Sequence, residues 1–177
     1  ELTNVPRITD VDCMGDLLRS MGMSVTASDD HHLVIEHHDG LVPEAPYELV
    51  ERMRASIVVM GPLVARYGRA RVALPGGDDF GPRPIDMHLR ALEQLGATFE
   101  TAHGYIEARA ERLVGTRILL EFPSVGATEN ALMAAVLAKG TTVIDNAARE
   151  PEIADLAAFL TRMGAQILGA GSSTIEV

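Results

Sequence analysis

Apolar residues recur at helical spacing in three places along the chain, and each run stops at a glycine. The segments 8–22, 83–96 and 151–164 align on Gly22, Gly96 and Gly164. All three carry Leu four residues before the glycine (Leu18, Leu92, Leu160). They carry Met or Leu one residue before it (Met21, Leu95, Met163) and an aliphatic eleven before it (Val11, Ile85, Ile153). This spacing predicts three amphipathic helices, each closed by a glycine that permits the left-handed stop conformation.

A hairpin-like phrase follows each stop glycine, at 24–36, 98–109 and 166–177. Polar or glycine-containing turns lie near the middle of each, at Asp29-Asp30, His103-Gly104 and Gly169-Ala170-Gly171. Two further helical stretches lie between these units. Residues 47–67 end at Gly68 and residues 127–139 end at Gly140, and each precedes a short β-rich run, 70–74 and 141–145. Gly61-Pro62 is expected to kink the first of these stretches. The repeating order predicts one α/β domain over residues 1–177 with pseudo-threefold strand–helix–strand–helix–hairpin modules. The period of about 70 residues is longer than that of the common solenoids.

Composition sharpens this picture in a few respects. Of the 177 residues 47% are hydrophobic but only 4% aromatic, with no Trp, so small aliphatics must fill the core. The formal charge of −10 argues against non-specific nucleic-acid binding, which needs a basic face. It leaves room for an anionic ligand held by a few convergent arginines. Cys13 is the lone cysteine, which excludes an internal disulfide and fits a reducing, cytoplasmic setting. The longest apolar runs, 57–65 and 131–138, fall far short of the roughly 20 residues needed to span a bilayer. The chain starts at Glu1 without Met and stops on a strand-like phrase, so a piece of a longer protein is expected.

Candidate chemistry concentrates in Leu74-Pro-Gly-Gly-Asp-Asp-Phe-Gly-Pro-Arg-Pro-Ile-Asp-Met-His88. Two adjacent carboxylates, Asp78 and Asp79, sit on a glycine-flanked loop. Pro84 suits a first helical turn, which places Arg83 beside unpaired N–H groups and the positive end of a helix dipole. Spacing alone leaves Arg83 open as an anion ligand or a solvated loop residue. The positions thirteen before the three stop glycines are Thr9, Arg83 and Pro151, so the repeat does not demand arginine there. Asp86 falls in the first helical turn, where the dipole alone would favour it. His88 reads more readily as a structural hydrogen-bonder than as a functional group. Phe122-Pro-Ser-Val-Gly-Ala-Thr-Glu-Asn130 is a second loop-to-helix junction, with Ser124 and Thr128 as candidate caps. The pairs His31-His32 and His37-His38 project alternately along a strand, so no metal site is expected from them.

Arg54-Ala-Ser56, Gly61-Pro-Leu-Val-Ala-Arg66, Leu74-Pro-Gly-Gly-Asp78 and Arg83-Pro-Ile-Asp-Met-His88 resemble the UDP-N-acetylglucosamine 1-carboxyvinyltransferases. Leu95-Gly-Ala97, Ser124-Val-Gly-Ala-Thr128 and Asn146-Ala-Ala-Arg-Glu-Pro-Glu152 continue the likeness in order over essentially the whole chain. The resemblance implies one of two similar lobes, each an inside-out α/β barrel with buried helices and outer sheets. It implies enolpyruvyl transfer from phosphoenolpyruvate to the 3′-hydroxyl of UDP-N-acetylglucosamine, the first committed step of peptidoglycan synthesis, with no cofactor. It makes Asp78, where most relatives carry cysteine, the general acid, and Arg83 a phosphoenolpyruvate ligand. Arg54, Pro84, Asp86, Met87, Ser124, Val125 and Gly126 would contact the UDP-sugar. An amino-terminal Lys-Asn pair and a second lobe that complete the family's site are absent from this sequence, so weak or undetectable turnover by this piece is expected. Its partners would be the two small substrates and that second lobe, with neither nucleic acid nor membrane. The competing readings are a related enolpyruvyl transferase with another acceptor, such as shikimate 3-phosphate, and a non-catalytic binding module.

Overall fold

The computed structural model of the chain describes residues 1–29, 31–74 and 85–177. It opens with helix α1 (Thr9–Ser20) and the hairpin β1 (Ser24–Asp29) and β2 (His32–Glu36). Strand β3 (Glu44–Ala45), helix α2 (Tyr47–Val50), a 3-10 turn (Arg54–Val59), helix α3 (Met60–Tyr67) and strand β4 (Arg69–Ala73) follow. Helix α4 (Asp86–Gln94) leads into the hairpin β5 (Thr98–Ala102) and β6 (Tyr105–Arg109). The last part comprises β7 (Arg117–Leu119), α5 (Val125–Ala135), β8 (Val143–Asp145), α6 (Pro151–Arg162) and β9 (Thr174–Glu176).

The middle module is the fullest. Its sheet runs β3-β4-β6-β5, with β3 parallel to β4 and the remaining pairs antiparallel. The last module repeats that order as β7-β8-β9, again with a parallel first pair, and Leu168 bridges Glu176 at its outer side. In the first module β1 pairs with β2, and Leu2 bridges Leu33 where the middle module has β4 beside β6. The threefold pattern is thus a repeat of pairing topology as well as of sequence.

The three stop glycines do what the repeat requires. Gly22, Gly96 and Gly164 have φ of 101°, 105° and 105°, a region that L side chains avoid. His103-Gly104 makes the tight turn of the middle hairpin, with φ of 52° and 79°. The last hairpin is reduced to β9 and the Leu168 bridge. There Gly169 and Gly171 both turn left-handed, and the Ser172 hydroxyl donates to the Thr174 carbonyl at 2.8 Å, so backbone expected in a ladder is spent in a turn.

The stretch 47–67 departs from expectation. It breaks at residues 51–53 rather than kinking at Gly61-Pro62: Met53 is extended (φ −148°, ψ 110°) and buried, separating α2 from the 3-10 turn. Pro62 instead falls in the first turn of α3, where its missing N–H would have had no helical partner. Helix α5 starts two residues earlier than expected, at Val125, because Ser124 adopts the extended N-cap conformation.

Helix α5 lies at the centre, packed against α3, the 3-10 turn, α4 and α6. Ala127, Thr128, Asn130, Ala131, Leu132, Ala134 and Ala135 are all buried. Small side chains on nearly every face let several helices approach it, which is what a core almost free of aromatics permits. Strands β4, β7, β8 and β9 alternate buried with more exposed residues, so the sheets form outer layers with one wet face. Helices inside and sheets outside is the inside-out arrangement the resemblance implied.

Candidate functional site

Two helix starts and one 3-10 turn converge at one end of α5. At Ser124 the side chain accepts from the Ala127 N–H at 3.4 Å, a long cap. Thr128 strengthens the junction, donating its hydroxyl to the Ser124 carbonyl at 2.7 Å and accepting from the Ala148 N–H at 3.0 Å. The Val125 and Gly126 N–H groups have no partner within the helix, and its first turn carries no acidic residue. A positive helix end with no acidic residue in its first turn favours an anion.

Helix α4 enters from the side, with Ile85 as its N-cap. Asp86 pairs with Arg90 at 3.4 Å, and Arg90 also pairs with Glu121. These groups are largely exposed, so the chain of charges orients more than it stabilises. The Met87 side chain is buried in the core and only the backbone of that residue stays near the helix start.

His88 ties the pieces together. It is 7% exposed, and its Nδ1 lies 3.1 Å from Nδ2 of Asn130, which is fully buried. Asn130 Nδ2 also donates to the Ile57 carbonyl at 3.1 Å, and Asn130 Oδ1 accepts from the Gly61 N–H at 2.6 Å. The other edge of the imidazole faces α5. A Cβ built on Gly126 would lie 3.0 Å from His88 Cε1 and 3.4 Å from Nε2, so no larger residue fits there without moving the ring. Burial, reinforced by the nearby Arg54 guanidinium and opposed by Asp86, pushes the His88 pKa down to about 4. The imidazole is therefore neutral at neutral pH.

Arg54, Asp86 and Gly126 are thus gathered around one buried imidazole, with Ser124 and Val125 adjoining Gly126 along the chain. Asp78, Arg83 and Pro84 lie outside the described residues. His88 and Asn130 are the polar residues that the sequence reading undervalued. A signal for His88 existed: it precedes the buried Ala91 and Leu92 by three and four residues, so it shares their core-facing side.

The depressed pKa has a consequence for stability. The unfolded chain takes up a proton on this histidine near its ordinary 6.5, whereas the folded chain resists until about 4. Between these values the unfolded state binds more protons, so the folded state loses stability as pH falls. With about 1.4 kcal/mol per pH unit, the full loss is on the order of 3 kcal/mol. Urea unfolding of the chain and of His88→Gln at pH values across that window is expected to show a steeper acid decline in the wild type. Parallel declines in the two proteins would remove the assignment.

Other groups on the surface are occupied differently. His31, His37 and His38 contact the Val5 carbonyl, the Tyr67 hydroxyl and the Ser24 hydroxyl, and no group of three potential metal ligands converges among the described residues. An open cleft of about 700 Å³ on the wet side of the middle sheet is lined in part by Glu44, Arg71, Glu107 and Arg109. Arg71 pairs with Glu44 at 2.6 Å and Arg109 with Glu107 at 3.5 Å, and the arginines of the lining, Arg69, Arg71 and Arg109, are matched in number by Glu44, Glu107 and Glu111. Among the described residues no helix is long and apolar enough to cross a membrane.

A family model described as EPSP synthase (3-phosphoshikimate 1-carboxyvinyltransferase) matches residues 1–177, the whole chain. The chain belongs to the EPSP synthase family of enolpyruvyl transferases. Within that family it is 56% identical over 176 residues to UDP-N-acetylglucosamine 1-carboxyvinyltransferase 2 of Carboxydothermus hydrogenoformans, a match covering 99% of this chain and 42% of the relative. It is 55% identical over 174 residues to the UDP-N-acetylglucosamine 1-carboxyvinyltransferase of Solidesulfovibrio magneticus, covering 98% and 42%. The chain therefore spans about 42% of the length of these relatives. Among solved structures it resembles the enolpyruvyl transferase NikO from Streptomyces tendae, with a TM-score of 0.82 at 26% identity over 98% of this chain and 41% of that one. EPSP synthase from Acinetobacter baumannii shares the fold, with a TM-score of 0.70 at 16% identity over 95% and 38% of the two chains.

Proposed function

We propose that this chain is one lobe of an enzyme that moves the enolpyruvyl group of phosphoenolpyruvate onto the 3′-hydroxyl of UDP-N-acetylglucosamine, a cytoplasmic step of cell-wall precursor synthesis. The observation that carries this reading is the anion-receptive start of α5, uncompensated by acid, beside Arg54 and the neutral His88. A nucleotide diphosphate matches that end in charge. The identity of 55–56% to two UDP-N-acetylglucosamine 1-carboxyvinyltransferases supports this acceptor over shikimate 3-phosphate.

In this reading Arg54, Pro84, Asp86, Met87, Ser124, Val125 and Gly126 form the UDP-sugar side, and Arg83 binds phosphoenolpyruvate. Asp78 protonates the C3 methylene while the sugar oxygen bonds to C2. The resulting tetrahedral ketal then loses phosphate as the C3 proton departs, regenerating the double bond. The second lobe would supply the group that takes the hydroxyl proton. Phosphate release by the product of the complete reading frame tests the reading. Release that requires UDP-N-acetylglucosamine and phosphoenolpyruvate together supports it; release with shikimate 3-phosphate instead rejects it.

The aspartate carries a further expectation. Fosfomycin inactivates by alkylating a soft thiolate, and a carboxylate at Asp78 lacks that sulfur. The enzyme is expected to keep its activity after incubation with the drug, and mass spectrometry to find Asp78 unmodified. A stoichiometric adduct on Asp78 would reverse this expectation.

A further inference from the structure

We propose that Asn130 is a positioning residue that holds His88 as its neutral Nε2–H tautomer. The imidazole then offers a hydrogen-bond donor to an anionic diphosphate oxygen at the start of α5. The ligand in this proposal rests on the UDP-sugar reading above; the tautomer rests on geometry alone.

Gly61 fixes the orientation of the Asn130 amide. A backbone N–H can only donate, so the Asn130 atom 2.6 Å from it is the carbonyl oxygen Oδ1. That fixes the orientation of the amide, and Nδ2 must face both the Ile57 carbonyl and His88 Nδ1. An amide nitrogen has two protons and accepts nothing. One proton goes to Ile57 and the other to His88, so His88 Nδ1 must be a bare acceptor. The ring proton is then on Nε2. Protonating Nδ1 as well would set two donors against each other in a buried site.

Nε2 makes no hydrogen bond among the described residues, although the side chain is more than nine-tenths buried. It lies at the edge facing Gly126, beside the helix start where the Val125 and Gly126 N–H groups have no partner among the described residues. Among the described residues Arg54 and Asp86 are the charged groups acting on this ring, and Arg54 opposes a second ring proton. The site thus presents backbone N–H groups and a neutral N–H to an anion, with the imidazole's donor direction fixed before binding. Asn130 reaches the 3-10 turn, α3 and α4 at once, so one side chain sets the ring's chemistry and the position of three elements around α5.

Long-range nitrogen–proton NMR of the imidazole rings in the wild-type chain tests the tautomer without any substitution. The expected spectrum at neutral pH has His88 protonated on Nε2 and bare on Nδ1. An Nδ1–H tautomer, or an imidazolium at neutral pH, overturns the proposal. In Asn130→Asp a carboxylate faces Nδ1 and favours its protonation, so His88 is expected to titrate at a higher pH than in wild type; an unchanged titration overturns the role of Asn130.

Calorimetric titrations with UDP-N-acetylglucosamine and with inorganic pyrophosphate then test the donor. Losing a hydrogen bond to a charged oxygen weakens binding about tenfold or more. His88→Phe is expected to show that loss, whereas His88→Gln, which keeps an N–H donor, stays within a few-fold of wild type. Equal affinities for the two variants overturn the donor role. Wild-type binding of pyrophosphate without UDP-N-acetylglucosamine would keep the donor and remove the UDP-sugar reading. Binding of neither would overturn both.

Discussion

Gly61→Ala is expected to lose about 3–5 kcal/mol of folding stability, a large share of the roughly 5–15 kcal/mol typical of a domain. A Cβ at this position would overlap the Asn130 backbone carbonyl and its side-chain oxygen, far inside van der Waals contact. The obstacle is the main chain of the central helix rather than the end of a flexible side chain, so it cannot swing away. To fit the methyl, α3 must retreat from α5, which also breaks the 2.6 Å bond from the Gly61 N–H to Asn130. Alanine's better helix propensity works the other way, but by no more than about 1 kcal/mol, and less in a first turn. For a chain of this size the midpoint of thermal unfolding should fall by about 10 °C. An unchanged or raised midpoint in a calorimetric scan would mean that α3 and α5 do not approach as closely as described.

The same contact explains why the fold was more legible in the sequence than the site. Stop glycines, apolar spacing and the His103-Gly104 turn are local signals, and the structure follows them because each is decided within a few residues. The break at residues 51–53 coincides with a buried Met53 in extended backbone, and no local pattern announces it. Asn130 is the extreme case. It stands in an alanine-rich helical run that reads as plain core, yet its partners Gly61 and Ile57 lie 69 and 73 residues away in sequence. His88 reads locally as an ordinary helical histidine, and its neutrality emerges only when Asn130, Arg54 and α5 close around it. Family resemblance, rather than any local pattern, is what singles out Ser124, Val125, Gly126, Arg54 and Asp86. Spacing alone could not bring Arg54 and Gly126, 72 positions apart, to the same imidazole.

Asp78→Asn, tested in the product of the complete reading frame, is expected to lower kcat by about 100- to 10,000-fold, the usual contribution of a positioned general acid. Asparagine preserves the size and neutral form of a protonated aspartic acid but has no proton to give to the C3 methylene. In the proposed reaction that proton is transferred in the transition state, so the loss should fall on kcat and on kcat/KM alike, with KM for UDP-N-acetylglucosamine little changed. Asp78→Cys is the informative companion. A thiol can deliver a proton, so activity should largely return, and the same sulfur should make the enzyme sensitive to fosfomycin. Asp79→Asn serves as the neighbouring control and is expected to stay within a few-fold of wild type. The assignment fails if Asp79→Asn is the crippled variant, or if Asp78→Asn turns over normally. A recovered Asp78→Cys that remains indifferent to fosfomycin would separate proton delivery from drug resistance, and would show that the resistance does not arise from the missing sulfur.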